Sequence, residues 1–317
     1  MTAESSRKRV GLALGAGSAR GCAHIGVLRA IEEHGIPIDF VAGTSIGSLV
    51  GGVYASGKLS ELEETMLRLD WKDILYNFFE LSIPRSGLID GKRIVEFISQ
   101  FIEDQDIRDL SVPFRAVATD IVSGDEVVLE QGRLMEVIRA SISVPGIFTP
   151  VQMGRHVLVD GGLVNPVPVS VARAMGADVV IAVDINADRL APPPETIDSA
   201  PDRHDGEPVS EWRQRLSAAI NERLGGIDQK VKAQLNRWTR SESGPNIFDV
   251  LGNTVRIMEA QIAETMLRAT QPDVLIRPTV GHITFLEFHE AREAIREGYR
   301  AAMPALEGLR ERLHRGD

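Results

Sequence analysis

The chain has 317 residues, of which 43% are hydrophobic and 25% charged, as in an ordinary globular protein with a large buried core. Its formal net charge of −10 argues against a nucleic-acid partner, which needs clustered Lys and Arg, and against adsorption to anionic lipid by charge alone. A single cysteine excludes an internal disulfide and is typical of a reducing compartment. We expect a cytoplasmic protein without a signal peptide, because MTAESSRKRV lacks an apolar stretch.

The chain opens with a strand, a glycine-rich loop, a helix and a second strand. Val10–Leu14 and Ile38–Ala42 are short apolar runs of strand length, and the segment between the loop and the second run has the apolar periodicity of a helix that stops at Gly35 and Pro37. Such a βαβ unit gives two parallel strands whose ends meet at one edge of a sheet. The glycine-rich loop at residues 15–21 should therefore lie beside whatever follows the second strand.

The second strand runs into GTSIG, residues 43–47, and then into a helical segment, Ile46–Ala55. A serine between two glycines at a strand-to-helix turn is the pattern of a nucleophile elbow, in which Gly43 and Gly47 leave room and the Ser45 hydroxyl is exposed. The free N–H groups at the start of the helix would favour an oxyanion. A turn that simply needs small residues explains the pattern equally well, so the rest of the chain must decide.

Strands and helices alternate as far as residue 188, and one more motif follows a strand. Val157–Val159 leads into Asp160-Gly161-Gly162, at the same predicted edge as the other two loops. The pattern predicts a three-layer α/β/α domain with a mostly parallel central sheet. The further predicted strands are Val112–Thr119, Glu126–Leu129 and Val179–Val183, and the further predicted helices are a segment from Leu59, Ile89–Phe101, Met135–Ser141 and residues 165–175.

The composition changes after the predicted catalytic domain, which we place at residues 8–188. Residues 189–210 are rich in Pro, Asp and Glu and are typical of a linker or mobile loop. Residues 211–317 are predicted to form a mainly helical region that packs on the catalytic domain. Its predicted elements are the helical stretches Glu211–Thr239, Ile247–Thr270 and Phe288–Leu313 and the strand Asp273–Pro278.

The three loops together could support acyl transfer. A serine hydroxyl is a weak nucleophile and needs an adjacent base, which Asp160 would supply. The usual pKa of an aspartate, near 4, is too low for that task, so the site should be dehydrated enough to raise it. Backbone N–H groups of Gly17 and Ser18 could then stabilise the oxyanion.

The motifs GSARG (residues 17–21), GTSIG (43–47) and DGG (160–162), in this order, resemble those of the patatin-like phospholipases, especially the bacterial branch related to the esterase domain of neuropathy target esterase. The resemblance covers roughly Val10–Asp184. It implies a Ser–Asp dyad without a catalytic histidine, metal or organic cofactor, acting on a lipid or acyl-ester substrate. Ser45 would be the nucleophile and Asp160 the base.

The same resemblance assigns the remaining site residues. Gly17 and Ser18 would form the oxyanion hole, and Arg20 with Gly21 would support the loop, unless Arg20 meets a phosphate instead. Ala16 and Ser18 stand where glycines are frequent in the family, so a positive φ at Ser18 would be strained. The glycines of the nucleophile elbow are Gly43 and Gly47, and those of the base turn are Gly161 and Gly162.

Two segments suggest partners beyond the substrate. The aromatic residues between Trp71 and Phe79 could line an acyl pocket or touch the inner face of a membrane peripherally. The charged stretch Glu211–Thr239 is most simply a solvated face, and a lid or a homodimer contact is the alternative.

Two other functions fit parts of the sequence. His282, which follows the last predicted strand, could complete a Ser-His-Asp triad with Asp160 or Asp184, as in an α/β-hydrolase. The loop G-x-G-x-x-x-G at residues 15–21 resembles a nucleotide-binding turn, one residue too long, and suggests a nucleotide-binding or regulatory protein with little hydrolysis. We expect Cys22 and His24 to be packing residues, and no group of residues has the spacing of metal ligands.

Overall fold

A computed structural model describes residues 7–69, 96–97, 99–100, 103, 105–187 and 247–314, without the side chains of 247–249, 251 and 314. The predictions for the aromatic segment Trp71–Phe79, the linker 189–210 and the stretch Glu211–Thr239 lie outside these residues. The predicted helix Ile89–Phe101 lies largely outside them.

The described strands form one eight-stranded sheet, and it is mostly parallel, as predicted. Its order is β5-β6-β3-β2-β1-β7-β8, with β4 also paired to β3. The four pairs from β3 through β2, β1 and β7 to β8 are parallel, and the pairs that involve β4, β5 and β6 are antiparallel. The strands are β1 Val10–Leu14, β2 Phe40–Thr44, β3 Phe114–Asp120, β4 Glu126–Leu129, β5 Val151–Met153, β6 His156–Asp160, β7 Val179–Val183 and β8 Val274–Ile276.

Helices cover both faces of the sheet, which confirms the three-layer architecture. One core cluster joins the sheet to α1, α2, α3, α4, α7 and α8, and the other joins it to α5 and α6. Val10, Leu12 and Leu14 of β1 belong to the first cluster and Ala13 to the second, as the alternation of a strand requires. The helices are α1 Ala23–Glu33, α2 Ile46–Ala55, α3 Leu59–Arg68, α4 Leu134–Ser141, α5 Val169–Ala174, α6 Ile247–Thr270, α7 Ala291–Leu306 and α8 Leu309–His314.

Several predicted boundaries were wrong. β2 starts two residues later than predicted, because the Asp39 carboxylate accepts from Val10 N–H at 2.7 Å and the ladder begins at Phe40. β5 was not predicted. The predicted helix at 165–175 shrinks to α5, because Pro168 occupies its N-cap position. The predicted closing helix Phe288–Leu313 is split into a 3₁₀ turn, α7 and α8, with Gly308 at φ 68° in the break.

The pairing of β3 brings the ends of two distant strands together. β4 pairs with Ala116–Thr119 of β3, so β2 and β6 share the opposite edge. Parallel β2 ends with Thr44 opposite Val117, and antiparallel β6 ends with Asp160 opposite Ala118. The carboxyl ends of β2 and β6 therefore meet on β3, which places Ser45 beside Asp160.

The C-terminal region shares the core of the sheet domain. β8 extends the sheet next to β7, and α7 packs along α1. Their crossing is close, because a Cβ on Gly26 would overlap the Ile295 carbonyl and a Cβ on Gly298 would overlap the Ala23 carbonyl.

Candidate active site

Ser45 lies at a tight turn between β2 and α2. Its backbone has φ 55° and ψ −125°, a region that non-glycine residues rarely adopt. A Cβ on Gly47 would overlap the carbonyl of Leu14, and one on Gly43 would overlap the backbone of Gly47. The chain therefore needs both glycines to turn here, and the geometry is that of a nucleophile elbow.

The Ser45 hydroxyl is hydrogen-bonded to Asp160. Ser45 Oγ donates to Asp160 Oδ2 at 2.5 Å, and the Gly162 N–H donates to Asp160 Oδ1 at 2.7 Å. Ser45 is 6% exposed and Asp160 1% exposed. Burial raises the pKa of Asp160 to about 6, and the two hydrogen bonds oppose the rise. The raised pKa agrees with the expectation from the sequence.

Ser141, at the end of α4, connects the backbone of Ser45 to strand β3. The Ser45 N–H donates to Ser141 Oγ at 2.9 Å, and Ser141 Oγ donates to the Val117 carbonyl at 2.6 Å. A Cβ on Gly161 would overlap the same carbonyl, so the base turn also packs on Val117. No role for Ser141 was predicted from the sequence, although the segment Ser141–Pro150 is similar to the patatin-like phospholipases.

The glycine-rich loop leaves two donors unused. Gly17 has φ 155° and Ser18 has φ 53°, so Ser18 adopts the strained conformation considered above. Ser18 Oγ donates to the Phe285 carbonyl at 2.6 Å, and the Ala19 N–H donates to it at 3.3 Å. Within the described part of the chain, the N–H groups of Gly17 and Ser18 have no hydrogen-bond acceptor.

Arg20 braces the loop from inside. Its side chain is buried, and Nε donates to the Gly17 carbonyl at 3.2 Å. Burial lowers the pKa of Arg20 to about 10, with repulsion from Arg256 adding to the fall and attraction to Glu259 opposing it. Gly21 packs against Ile46 at the start of α2, where a Cβ would overlap that side chain.

An apolar cavity opens at Ser45. Its volume is about 700 Å³ when the space open to solvent at its mouth is counted. Ser18, Cys22 and Ser45 are the polar side chains in its wall. The rest of the wall is aliphatic and aromatic: Ile25, Ile46, Leu49, Val50, Leu62, Met66, Phe97, Ile142, Val144, Phe148, Phe285, Leu286 and Phe288.

Comparison with known proteins agrees with this geometry. The family model of the patatin-like phospholipases matches residues 12–173, which include the glycine-rich loop, Ser45 and Asp160. The chain belongs to the patatin-like phospholipase family. An uncharacterised NTE family protein of Mycobacterium tuberculosis is 31% identical over 346 residues, covering 96% of this chain and 93% of that one.

Two further relatives of the patatin-like chain are much longer proteins. Patatin-like phospholipase domain-containing protein 6 of Homo sapiens is 38% identical over 184 residues, 56% of this chain and 13% of that protein. Lysophospholipase NTE1 of Mycosarcoma maydis is 32% identical over 304 residues, 94% of this chain and 15% of that protein.

The patatin-like site contains a second buried acid, Glu259 on α6. Asn186 Nδ2 donates to Glu259 Oε2 at 2.9 Å and to the Ala16 carbonyl at 3.0 Å. Burial, and next the charge of Asp160, raise the pKa of Glu259 to about 8. The sequence gives only a weak signal for its burial: Glu259 falls in helical phase with the small or apolar residues Gly252, Ala263 and Leu267, and this phase does not show which residues it faces.

The alternative catalytic residues lie in other contacts. His282 is half exposed, and its Nε2 lies 3.1 Å from Glu293 Oε1. Asp184 accepts from the Asn186 N–H at 3.1 Å and pairs with Arg277, so it serves a turn. In the patatin-like fold the Ser45 hydroxyl is therefore hydrogen-bonded to Asp160 and not to His282 or Asp184.

Other polar residues near the loop are packing residues, as expected. Burial raises the pKa of the Cys22 thiol to about 12, the opposite of an activated cysteine. Burial lowers the pKa of His24 to about 4, and its Nε2 lies 2.8 Å from the Gly15 carbonyl. Among the described residues, no three His, Cys, Asp or Glu side chains are grouped as metal ligands would be.

Proposed function

We propose that this chain is a serine hydrolase that cleaves carboxylic esters of lipids through an acyl-Ser45 intermediate. The 2.5 Å hydrogen bond from Ser45 Oγ to Asp160 Oδ2 carries the proposal, because it joins a nucleophile to a base inside a buried site. Membership of the patatin-like phospholipase family supports the same reaction class.

In the proposed acylation, Ser45 Oγ attacks the ester carbonyl carbon and its proton passes to Asp160 Oδ2. The N–H groups of Gly17 and Ser18 hold the developing oxyanion. When the carbonyl re-forms, the bond to the leaving alcohol breaks and Asp160 returns the proton to that oxygen. A water molecule then repeats the sequence on the acyl-enzyme, with Asp160 as its base, and releases the fatty acid.

The cavity beside Ser45 favours a long apolar acyl group over a polar one. Its wall is formed almost wholly by aliphatic and aromatic side chains, which suit an alkyl chain. One relative is named a lysophospholipase, and phospholipids, lysophospholipids and simpler acyl esters are the proposed substrate class here.

Access to a lipid surface is part of the proposal. No helix among the described residues is both long and apolar enough to cross a bilayer. We propose that contact with the inner face of a membrane is peripheral. The aromatic segment Trp71–Phe79 and a homodimer contact through Glu211–Thr239 stay predictions.

Labelling with a fluorophosphonate probe tests the proposal. We expect the probe to modify Ser45, identified by mass spectrometry, and hydrolysis of an acyl-ester panel to be lost in Ser45→Ala. The control is Ser56→Ala, which removes a hydroxyl that donates to the Val53 carbonyl at the far end of α2. Modification of another residue, or full activity of Ser45→Ala, would contradict the assignment.

A further inference from the structure

Glu259 lies next to Asp160, the proposed base, and belongs to none of the three motifs of the family. It lies on α6, beyond residues 12–173 matched by the family model, and its side chain is 5% exposed. A Cβ on Gly162 would overlap Glu259 Oε1 and would lie 3.1 Å from Asp160 Oδ1. The two carboxyl groups thus flank the same glycine of the base turn.

Two negative charges this close in a buried space repel each other, so one proton tends to stay with the pair. The hydrogen bonds decide which acid keeps the charge. Asp160 accepts from Ser45 Oγ and from the Gly162 N–H, and Glu259 Oε2 accepts from Asn186 Nδ2. Two donors on one carboxylate stabilise its charged form more than one donor does on the other.

Among the described residues, arginines are the other charged groups beside this pair, and the attraction of Arg20 opposes the rise of the Glu259 pKa. Arg20, from the 3₁₀ turn after the glycine-rich loop, attracts Glu259 and donates its Nε to the Gly17 carbonyl. Arg256, one turn earlier on α6, repels Arg20. Asn186 Nδ2 donates to both Glu259 and the Ala16 carbonyl, so a hydrogen-bonded path connects the acid to the glycine-rich loop.

We propose that Glu259 is a positioning residue that holds a proton in the resting protein, so that the single negative charge of the acid pair stays on Asp160. The inference rests on the proposed roles of Ser45 and Asp160. Glu259 keeps its proton throughout the cycle, while the proton of Ser45 moves to Asp160 Oδ2 and on to the leaving alcohol. The pKa values agree with this assignment. Burial, and next the charge of Asp160, raise the pKa of Glu259 to about 8, and burial raises the pKa of Asp160 to about 6.

Infrared difference spectroscopy of the intact protein tests the protonation state directly. We expect the carbonyl band of a protonated carboxylic acid at pH 7 in the wild type, and its loss in Glu259→Gln. The control is Glu264→Gln on the same helix, because Arg268 and Arg277 lower the pKa of that exposed carboxyl and keep it ionised. A band that persists in Glu259→Gln, or that is absent from the wild type, would overturn the inference.

The pH profile of kcat/KM gives a readout that a purely structural role would not move. Glutamine mimics the protonated acid, so wild type and Glu259→Gln should coincide from pH 5 to 7 within about threefold and separate above about pH 8. An acid limb shifted to lower pH in Glu259→Gln would mean that Glu259 was charged, and would contradict the proposal.

A variant that removes the acceptor tests the connection to the loop. Glu259→Leu removes one of the two acceptors of Asn186 Nδ2, and we expect kcat to fall about tenfold or more with a smaller change in KM. If Glu259→Leu does not fold, Glu259→Gln and the infrared band still decide. Failure of the proposed function would be seen in a different experiment, because fluorophosphonate would then not label Ser45 in the wild type.

Discussion

The partner of the Ser45 hydroxyl is a carboxylate, and its surroundings explain how an aspartate could serve as a base for an alcohol. A solvated aspartate holds a proton too weakly at neutral pH. Here Asp160 is 1% exposed, and burial raises its pKa to about 6. A base whose pKa lies near the working pH combines a useful ionised fraction with useful proton affinity.

The first prediction at the residue scale concerns pH. Since the charged form of Asp160 is the proposed base, kcat/KM should rise about tenfold per pH unit below pH 6 and level off above it. The measurement is ester hydrolysis between pH 4.5 and 7.5, with fluorophosphonate labelling of Ser45 followed in parallel. A rate that stays level down to pH 5 would contradict a base with this pKa.

The second prediction uses Asp160→Asn, which keeps the shape of the side chain and removes the base. We expect kcat to fall by about a thousandfold or more. The folded-state pKa of Asp160 lies above its ordinary value of 3.8, so the wild type loses stability as pH rises to about 6. The unfolding free energy of Asp160→Asn relative to wild type should therefore increase by about 1 kcal/mol from pH 5 to pH 8, as denaturant titrations would measure.

The control for that stability effect is Glu264→Gln, because hydrogen bonds from Arg268 and Arg277 lower the pKa of that half-exposed carboxyl. A carboxyl with a lowered pKa stays ionised in both states above pH 5, so the relative stability of Glu264→Gln should not rise with pH in the same interval. An unfolding free energy of Asp160→Asn that tracks the wild type at every pH would mean that Asp160 is not held at a raised pKa.

How much of the site could be predicted differs from residue to residue. Ser45, Asp160, Gly17 and Ser18 stand in local motifs whose spacing carries chemical meaning. In the structure Ser45 is hydrogen-bonded to Asp160, and Ser18 lies with Ser45 in the wall of one cavity. Glu259 could not be predicted as a neighbour of Asp160, because only tertiary packing places α6 over the base turn. A lone glutamate in a long helix usually faces solvent.

At the scale of elements, the glycine-rich loop depends on a distant segment. Ser18 Oγ and the Ala19 N–H both donate to the Phe285 carbonyl, beyond β8. This anchor holds the strained Ser18 backbone, whose N–H is a proposed oxyanion donor. The C-terminal part of the chain therefore supports the loop as well as the core.

Ser18→Ala tests that anchor. The variant keeps the Cβ and loses the hydroxyl, so we expect kcat to fall about threefold to tenfold while KM changes less. Ser56→Ala loses a hydrogen bond of the same kind away from the site and should keep wild-type kcat. Equal effects of the two substitutions would show that the anchor does not influence the reaction.

The predicted elements were most accurate where apolar periodicity was strong and least accurate at proline and glycine. β1, β4, β7 and α6 have the predicted bounds. α5 begins late because Pro168 stands at its N-cap, and the last helix breaks near Gly308. β5 escaped prediction because three residues at a sheet edge give too short a pattern for period-two alternation to be recognised.

At the scale of the whole molecule, the helical crossing of α1 and α7 joins the two ends of the chain. α1 follows the glycine-rich loop directly, and α7 lies against it through Gly26 and Gly298. α7 also contacts the 3₁₀ turn Ser18–Cys22, so it supports the loop directly.

Gly298→Ala tests this crossing through the sign of its effect. Alanine stabilises an isolated helix by up to about 1 kcal/mol relative to glycine. Here the new methyl group would overlap the Ala23 carbonyl, so the helices must move apart, and we expect a net loss of about 2 kcal/mol. Chemical denaturation measures the difference, and a more stable variant would mean that the crossing tolerates a side chain.

Because β2 and β6 pair with the same edge of β3, the order of folding steps determines when the candidate site assembles. Ser45 and Asp160 are separated by 115 positions along the chain, and they become neighbours only when β2 and β6 have both docked on β3. Contacts between segments so distant in sequence form late in folding. A nascent or refolding chain should therefore acquire its reactive serine as one of its last events, and the onset of fluorophosphonate reactivity would time the completion of the sheet.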